Sequence, residues 1–212
     1  MRMGWAALRR AWLLNRLTDP HFGFMLDPPP DGEWVALDCE TTGLDVQRDK
    51  IISIGAVRIA GNRLLTSERL ELLVRPERAL KAESVVVHRL RESDVAQGIP
   101  PAQAMHELLA FIGSRPLVGY YLEFDVAMLN REIWPLLGVH LPQPKIEVSA
   151  MYYDWRNRQL PAQERGVTPI DLRFATMMAT LELPLREAHD AVNDAVMAAL
   201  AFVKLRSLLH AG

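Results

Sequence analysis

The chain has 212 residues, half of them hydrophobic, and its formal net charge at pH 7 is −2. This composition excludes a disordered protein and suits one compact domain with a modest extension, while the small net charge neither predicts nor excludes a nucleic-acid partner. The single cysteine excludes an intrachain disulfide, and no apolar run long enough to span a membrane is free of charge. Arg9 and Arg10 interrupt the N-terminal apolar stretch, which argues against a secretory signal. We therefore expect a cytoplasmic protein without a membrane partner.

The first 32 residues are predicted to be an extension that precedes the main domain at 33–212. Trp5, Leu8 and Trp12 share one face of a predicted helix, and Pro28–Pro30 then acts as a stiff spacer. We expect this helix to pack its tryptophan face on the main domain. Two alternatives stay open, namely a helix that docks on nucleic acid or on a protein partner, and a helix that lies on a membrane surface.

From residue 33 onward the pattern is that of a mixed α/β domain. The predicted strands are Glu33–Asp38, Lys50–Ala60, Leu65–Val74, Pro116–Tyr120 and Lys145–Val148. The predicted helices are Pro101–Ile112, Glu123–Leu137, 169–180 and 189–209. Strands that come first and then alternate with helices predict a mixed five-stranded sheet flanked by helices.

The most informative pair of residues is Asp38 and Glu40, at the end of the first predicted strand. Residues i and i+2 of a strand point to the same side, so the two carboxylates can converge while Cys39 points the other way. Like charges beside a buried strand repel each other unless a cation neutralises them. Oxygen ligands alone favour Mg²⁺ or Mn²⁺ over zinc.

The residues around this pair have their own predictions. Thr41 and Thr42 can offer hydroxyl and backbone N–H groups to a substrate, Gly43 permits a sharp turn, and Leu44 is an apolar residue at the lip of the site. Cys39 is predicted to be a small buried hydrophobic residue on the opposite face of the strand. It is not expected to act as a nucleophile, because the flanking carboxylates would raise its pKa.

Two further segments carry candidate acids. Asp125 follows the fourth predicted strand near the start of a helix, where an acid taken alone is usually explained by the helix dipole. His189 and Asp194 are five residues apart and cannot share a face of one regular helix. They can face one cleft if His189 precedes the helix and Asp194 lies in its second turn, with Asp190 as the cap.

Together these segments resemble a known family. Asp38-x-Glu40-Thr-Thr-Gly-Leu, Phe124-Asp125 and His189-x4-Asp194 resemble the three motifs of the DEDDh exonucleases, which include the epsilon proofreading subunit of bacterial replicative DNA polymerase, ribonuclease T and oligoribonuclease. The resemblance covers about residues 33–207. It implies a ribonuclease H-like fold and a 3′→5′ exonuclease that releases nucleoside 5′-monophosphates from single-stranded ends. No motif in the sequence reads the 2′-hydroxyl, so DNA and RNA both stay open as substrates, and DNA is the favoured one.

The resemblance also implies a role for each motif residue. Asp38, Glu40, Asp125 and Asp194 would hold two divalent cations, Mg²⁺ or Mn²⁺, and His189 would take the proton from the attacking water. The residues expected to contact the substrate are Thr41, Thr42, Gly43, Leu44, His88, Tyr120 and Tyr121.

Two features depart from the family pattern. Tyr120-Tyr121 replaces the usual His-Asn, and Glu147 stands where many relatives have Asp. The leading hypothesis is an active exonuclease, which can also be a subunit that docks on a polymerase-like partner through its N-terminal helix. The alternative is a nucleic-acid-binding or regulatory module whose catalysis is weak or lost.

Overall fold

A computed structural model of the chain describes residues 5–76, 95–186 and 190–210. Its centre is a five-stranded sheet in the order β3-β2-β1-β4-β5. The strands are β1 (Glu33–Thr41), β2 (Ile51–Ala60), β3 (Arg63–Leu73), β4 (Leu117–Gly119) and β5 (Lys145–Glu147). β1 to β3 form an antiparallel meander, whereas β4 and β5 run parallel to β1. The mixed five-stranded sheet predicted from the sequence is confirmed.

Six α-helices flank this sheet within the part of the chain that the structure describes. They are α1 (Trp5–Arg16), α2 (Pro101–Ile112), α3 (Leu122–Leu137), α4 (Val148–Gln159), α5 (Phe174–Thr180) and α6 (Ala191–His210). Two 3-10 helices, Pro20–Leu26 and Ala162–Glu164, complete the regular structure. No helix among the described residues is both long enough and apolar enough to cross a bilayer.

The two faces of the sheet bury two separate hydrophobic cores. Val35, Leu37 and Cys39 of β1 point into the core beneath α2 and α3, while Ala36 points into the core beneath α4, α5 and α6. This alternation is the period-2 pattern of a central strand that is covered on both sides. The same alternation places Asp38 and Glu40 on the α6 side of the sheet.

Several element boundaries differ from the sequence prediction. β1 continues to Thr41, because Glu40 and Thr41 still pair with Ser53 and Ile51 of β2. Asp38 and Glu40 therefore lie within the paired strand and not beyond its end. α5 begins only at Phe174, five residues later than predicted. The Asp171 carboxylate accepts hydrogen bonds from the Arg173 backbone N–H and the Thr176 hydroxyl, which fixes a turn before the helix.

The helix α4 was missed by the sequence analysis, which predicted no helix between the fifth strand and residue 169. Tyr152 of this helix is buried, as are Met177 and Met178 of α5. Only Val148 and Tyr152 of α4 are buried, so the helix has too few apolar positions to show a clear helical period. Its start is fixed by Glu147, whose carboxylate accepts from the backbone N–H of Ser149.

The N-terminal segment does form a helix, but the prediction that its tryptophan face packs on the main domain is wrong. Trp5 is 90% exposed and Trp12 is 55% exposed. The segment is held instead by Leu17, Phe22 and Met25, which are buried in the core beneath α2 and α3. These three side chains follow α1 or lie in the 3-10 helix after it, so the packing residues are offset from the apolar stripe that the sequence shows.

Candidate metal and catalytic site

The candidate site is built on the second half of β1, where two acidic side chains emerge on the same face. Asp38 pairs with Gly55 of β2 and Glu40 pairs with Ser53, so the β2 ladder holds both backbones. Cys39, between them, is buried on the opposite face, as predicted. Burial is the main reason that the pKa of the Cys39 thiol is raised well above its ordinary value, which excludes it as a thiolate nucleophile.

Asp194 reaches the same place from α6. It lies in the first turn of the helix, four residues after the cap Asp190. The sequence analysis assigned it to the second turn, although the spacing from the predicted cap is the same. Carboxylate oxygens of Asp38, Glu40 and Asp194 all lie within 4.8 Å of one another, and the three side chains are partly exposed. A donor set of carboxylate oxygens suits a hard divalent cation such as Mg²⁺ or Mn²⁺. The structure therefore brings together three of the four predicted metal ligands.

A glycine makes this approach of α6 possible. A Cβ atom on Gly55 would lie 2.2 Å from the carbonyl carbon of Ala191 and 2.3 Å from the backbone nitrogen of Val192. The first residues of α6 thus rest directly on β2, opposite Asp38. Sequence analysis did not single out Gly55, although an isolated glycine inside a hydrophobic strand is a known sign of close backbone approach.

Asp125, the fourth predicted ligand, arrives from α3. β4 pairs with β1 only at Val35 and Ala36, and Asp125 lies beside β1 beyond that ladder. The backbone N–H of Cys39 donates a hydrogen bond to the Asp125 carboxylate, which is buried. Asp125 does not belong to the group of three within 4.8 Å, but it lies close enough to Asp38 for their charges to interact.

A fifth acid, Asp190, contributes to the electrostatics of the site. Its carboxylate accepts from the backbone N–H of Asn193 at 2.9 Å, which confirms the prediction that it caps the last helix. Its negative charge also raises the pKa of both Asp38 and Glu40. The sequence analysis treated Asp190 only as a cap and missed this second effect.

The crowded carboxylates are harder to ionise than ordinary ones. Burial, followed by the charges of Asp125, Asp194 and Glu40, raises the pKa of Asp38 well above its usual range. Burial and then Asp194 and Asp190 raise the pKa of Glu40 from 4.5 to about 7. Burial likewise raises the pKa of Asp125, although the hydrogen bond from Cys39 opposes the rise. A bound cation would relieve this repulsion.

The loop between β1 and β2 carries the predicted substrate residues and is closely tied to α3. The Thr42 hydroxyl donates to the Asp49 carboxylate at 3.0 Å, and that carboxylate would lie 2.5 Å from a Cβ atom on Gly43. The Arg131 guanidinium of α3 donates to the backbone carbonyls of Val46 and Asp49. Sequence analysis missed both Asp49 and Arg131, because no short motif links a loop to a helix about 80 residues away.

This bracing leaves the predicted substrate residues in different situations. The Thr41 hydroxyl donates within the loop, to the carbonyl of Gly43. Leu44 projects into solvent and is 84% exposed. The Tyr120 hydroxyl donates to the carbonyl of Leu172, and burial is the main reason that its pKa is raised to about 12. The proposed base His189 and the proposed substrate residue His88 lie outside the described residues.

Comparison with known proteins gives the family. Residues 35–202 match the RNase T exonuclease family model. The chain belongs to this exonuclease family. That assignment confirms the family predicted from the three motifs, and the ribonuclease H-like fold predicted with it is confirmed by the solved structures described below.

Relatives of this exonuclease-family chain include a DNA polymerase III subunit epsilon and a protein named as similar to it. It is 29% identical over 182 residues to the DNA polymerase III subunit epsilon-like protein of Rhodobacter capsulatus, covering 84% of this chain and 24% of that protein. It is 30% identical over 127 residues to the DNA polymerase III subunit epsilon of Aquifex aeolicus, covering 58% of this chain and 59% of the relative. The chain thus spans only part of the length of each.

Solved exonucleases share the fold of this family member. The zinc-bound form of the E. coli ExoI–ssDNA complex superimposes with a TM-score of 0.68 at 14% identity, covering 86% of this chain and 43% of that one. Exonuclease X in complex with 5′ overhanging duplex DNA gives a TM-score of 0.61 at 20% identity, covering 82% and 91% of the two chains.

Proposed function

We propose that the protein is a 3′→5′ exonuclease that hydrolyses single-stranded nucleic acid, with DNA favoured over RNA, and releases nucleoside 5′-monophosphates. The observation that carries the proposal is the group of three carboxylates within 4.8 Å, with Asp125 beside them. These acids come from β1, α3 and α6, so only the folded chain assembles them. Membership of the exonuclease family supports a nuclease, and the polarity and strand preference are our inference from the motif resemblance.

Each residue of the site has a proposed task. Asp38, Glu40 and Asp194 would hold one Mg²⁺ or Mn²⁺ ion, and Asp38 with Asp125 would hold a second. Divalent ions in such a site stabilise the charge on the attacking and leaving oxygens of phosphodiester hydrolysis. By the motif resemblance, His189 is assigned the removal of a proton from the attacking water. The grip on the terminal nucleotide is assigned to the loop Thr41–Leu44, with His88 and Tyr120 as further candidates.

The test is incubation of the protein with a 5′-labelled single-stranded oligonucleotide and Mg²⁺. We expect a ladder of products shortened from the 3′ end, which EDTA abolishes. Asp38→Ala should lower the rate about 1,000-fold or more, because it removes the ligand central to both proposed ions. The fold should survive this substitution, since it relieves repulsion among the acids.

A matched control is Asp154→Ala, which removes an exposed acid on α4 and should leave the rate unchanged. Equal activity of Asp38→Ala and the unaltered protein would refute the site assignment. Single-strand binding without turnover at any ion concentration would instead support the alternative of a binding or regulatory module. Matched RNA and duplex DNA in parallel reactions then test the proposed preference for single-stranded DNA.

We further propose that α1 docks on a protein partner, in the manner of a polymerase proofreading-type subunit. Trp12, one of its two exposed tryptophans, lines a cavity of about 230 Å³ together with Arg16 and Trp134. Trp134 is nine residues beyond Asp125 on α3, about 180° further around the helix. This cavity therefore faces away from the acidic site, which favours a protein partner over the strand being cut.

Substitution of both tryptophans by serine tests this docking. We expect Trp5→Ser/Trp12→Ser to spare hydrolysis and to weaken binding to the cognate replicative polymerase by about 30-fold, since buried tryptophans dominate protein interfaces. Point substitutions are preferable to deletion of residues 1–30, which would remove the core side chains Leu17, Phe22 and Met25. Val167→Ser, at another exposed apolar position, is the control. Unchanged affinity in an equilibrium binding assay would contradict the docking role.

A further inference from the structure

Tyr121 adopts a backbone conformation that bulky residues rarely take. Its φ is 54° and its ψ is 31°, in the left-handed region, at the residue directly before α3. Tyrosine is disfavoured there because its Cβ crowds the neighbouring carbonyl, so such a residue persists only where its surroundings enforce it. Residues held in this way are concentrated at functional sites.

The surroundings of Tyr121 do enforce this conformation. On its C-terminal side, the backbone N–H of Leu122 donates to the Glu147 carboxylate at 3.0 Å. On its N-terminal side, the Tyr120 ring packs on Phe174 at a centroid distance of 4.6 Å and its hydroxyl is bound to Leu172. Both neighbours of Tyr121 are therefore fixed to other elements of the fold.

The Tyr121 side chain itself is left largely in solvent. Its ring contacts the Tyr120 ring edge-on at a centroid distance of 4.6 Å, and 69% of the residue is exposed. An aromatic side chain that is braced on one side and open on the other has a free surface at which a second planar group can stack. Because the Tyr120 ring already restricts the Tyr121 side chain, little conformational entropy is lost when a planar group stacks on the Tyr121 ring.

The position of Tyr121 relates this surface to the acidic site. It follows β4, which runs parallel to β1, so both strands direct the chain to the same edge of the sheet. It also precedes Asp125 by four residues, which corresponds to about one turn of α3, or roughly 6 Å. The backbone of Tyr121 thus lies about one helical turn from Asp125, at the edge of the sheet where α3 begins.

We infer that Tyr121 is a specificity-determining residue whose ring stacks on an unpaired nucleobase of the strand held at the acidic site. This inference rests on the proposed exonuclease function and explains how the site would select single-stranded ends. Every nucleobase has an aromatic face, so such a contact is indifferent to sequence. It does require a base that has left its duplex neighbours, and Tyr121 therefore favours single-stranded ends over paired ones.

The test uses Tyr121→Asn, because asparagine tolerates the left-handed conformation and lacks the ring. We expect its KM for a single-stranded oligonucleotide to rise about 5- to 150-fold, the range for loss of one base–aromatic stack, with a much smaller change in kcat. Tyr121→Phe should stay near the unaltered protein. Val167→Asn, at an exposed apolar position outside the proposed sites, should change neither constant. Equal thermal unfolding temperatures show that the variants are folded.

Abasic substrates separate stacking from a merely structural role. Four oligonucleotides are compared with the intact strand. Each of them lacks a single base, at one of the last four positions before the 3′ end. At the position that stacks on Tyr121, removal of the base should raise the KM of the unaltered protein. It should leave the KM of Tyr121→Asn unchanged. The inference is overturned if the KM of Tyr121→Asn is within about two-fold of that of the unaltered protein. It is also overturned if the substitution raises the KM by the same factor on every abasic strand.

These results are distinguishable from failure of the proposed function. If the unaltered protein does not hydrolyse the oligonucleotide, the exonuclease proposal fails. Fluorescence anisotropy with the same labelled strands then measures the affinity of the unaltered protein relative to that of Tyr121→Asn. The stacking role is supported if this ratio is high on the intact strand and falls to about one at a single abasic position. A ratio of about one on the intact strand refutes it.

Discussion

Gly55→Ala is expected to destabilise the protein by about 3 kcal/mol, near the upper end of the usual range for overpacking. The added methyl group would meet the backbone of Ala191 at 2.2 Å, and backbone atoms cannot rotate away as a flexible side chain can. β2 and the start of α6 must therefore separate. Urea denaturation, followed by circular dichroism, measures the loss of unfolding free energy.

The same substitution should also weaken the metal site in the protein that remains folded. Asp194 is carried by the first turn of α6, so displacement of that turn removes it from Asp38 and Glu40. We expect Mn²⁺ affinity, measured by calorimetry, to fall at least about ten-fold, as it does when groups that orient metal ligands are lost. Gly23→Ala, which meets only Leu14 at 3.4 Å, is the matched control. Wild-type stability and affinity in Gly55→Ala would contradict this account of how α6 is seated.

Metal affinity is expected to rise steeply with pH up to about 7. The Glu40 carboxyl, whose pKa is raised to about 7, must lose its proton before it can bind a cation, and the pKa values of Asp38 and Asp125 are shifted in the same direction. Each proton that the metal displaces lowers the apparent affinity by up to about ten-fold for every pH unit below the raised pKa. Mn²⁺ titrations at pH 5.5, 6.5 and 7.5 measure this slope.

The free energy of unfolding of the metal-free protein should fall as the pH rises, whereas the metal affinity increases. A carboxyl with a raised pKa holds its proton in the folded state after the unfolded chain has lost it. The contribution of Glu40 is therefore fully present below pH 4.5 and is lost as the pH rises to about 7. Thermal unfolding with and without Mn²⁺ should show a stabilisation that grows across this window. In Glu40→Gln part of this pH dependence should disappear, and identical Mn²⁺ shifts at pH 5.5 and 7.5 would refute the argument.

Much of the site was predictable because its signals are local. The alternation of β1 places Asp38 and Glu40 on one face and buries Cys39 on the other, a consequence of the two-residue period of any strand. Asp190 caps the last helix through the Asn193 backbone N–H, as its residue type indicated. Each of these inferences needs only a few neighbouring residues.

Other features were missed because they depend on contacts between distant segments. Arg131 supports the loop after β1 across more than 80 residues of sequence. Tyr121 is a departure from a family pattern in the sequence, and only the fold shows that its backbone is left-handed and that Glu147 binds the N–H of the next residue, Leu122. The exposed tryptophans of α1 were expected to be buried, because an apolar stripe indicates a buried face but not what covers it.

The sequence by itself determined the strand pattern, the acidic motif on β1 and the family to which the chain belongs. The tertiary structure decided how closely the carboxylates meet, through the bare backbone of Gly55 beneath α6 and the Cys39 N–H that binds Asp125. The physical reason is the range of the forces involved. Periodicity and capping act within a few residues, whereas charge repulsion, burial and close packing act through space between segments that the sequence keeps far apart.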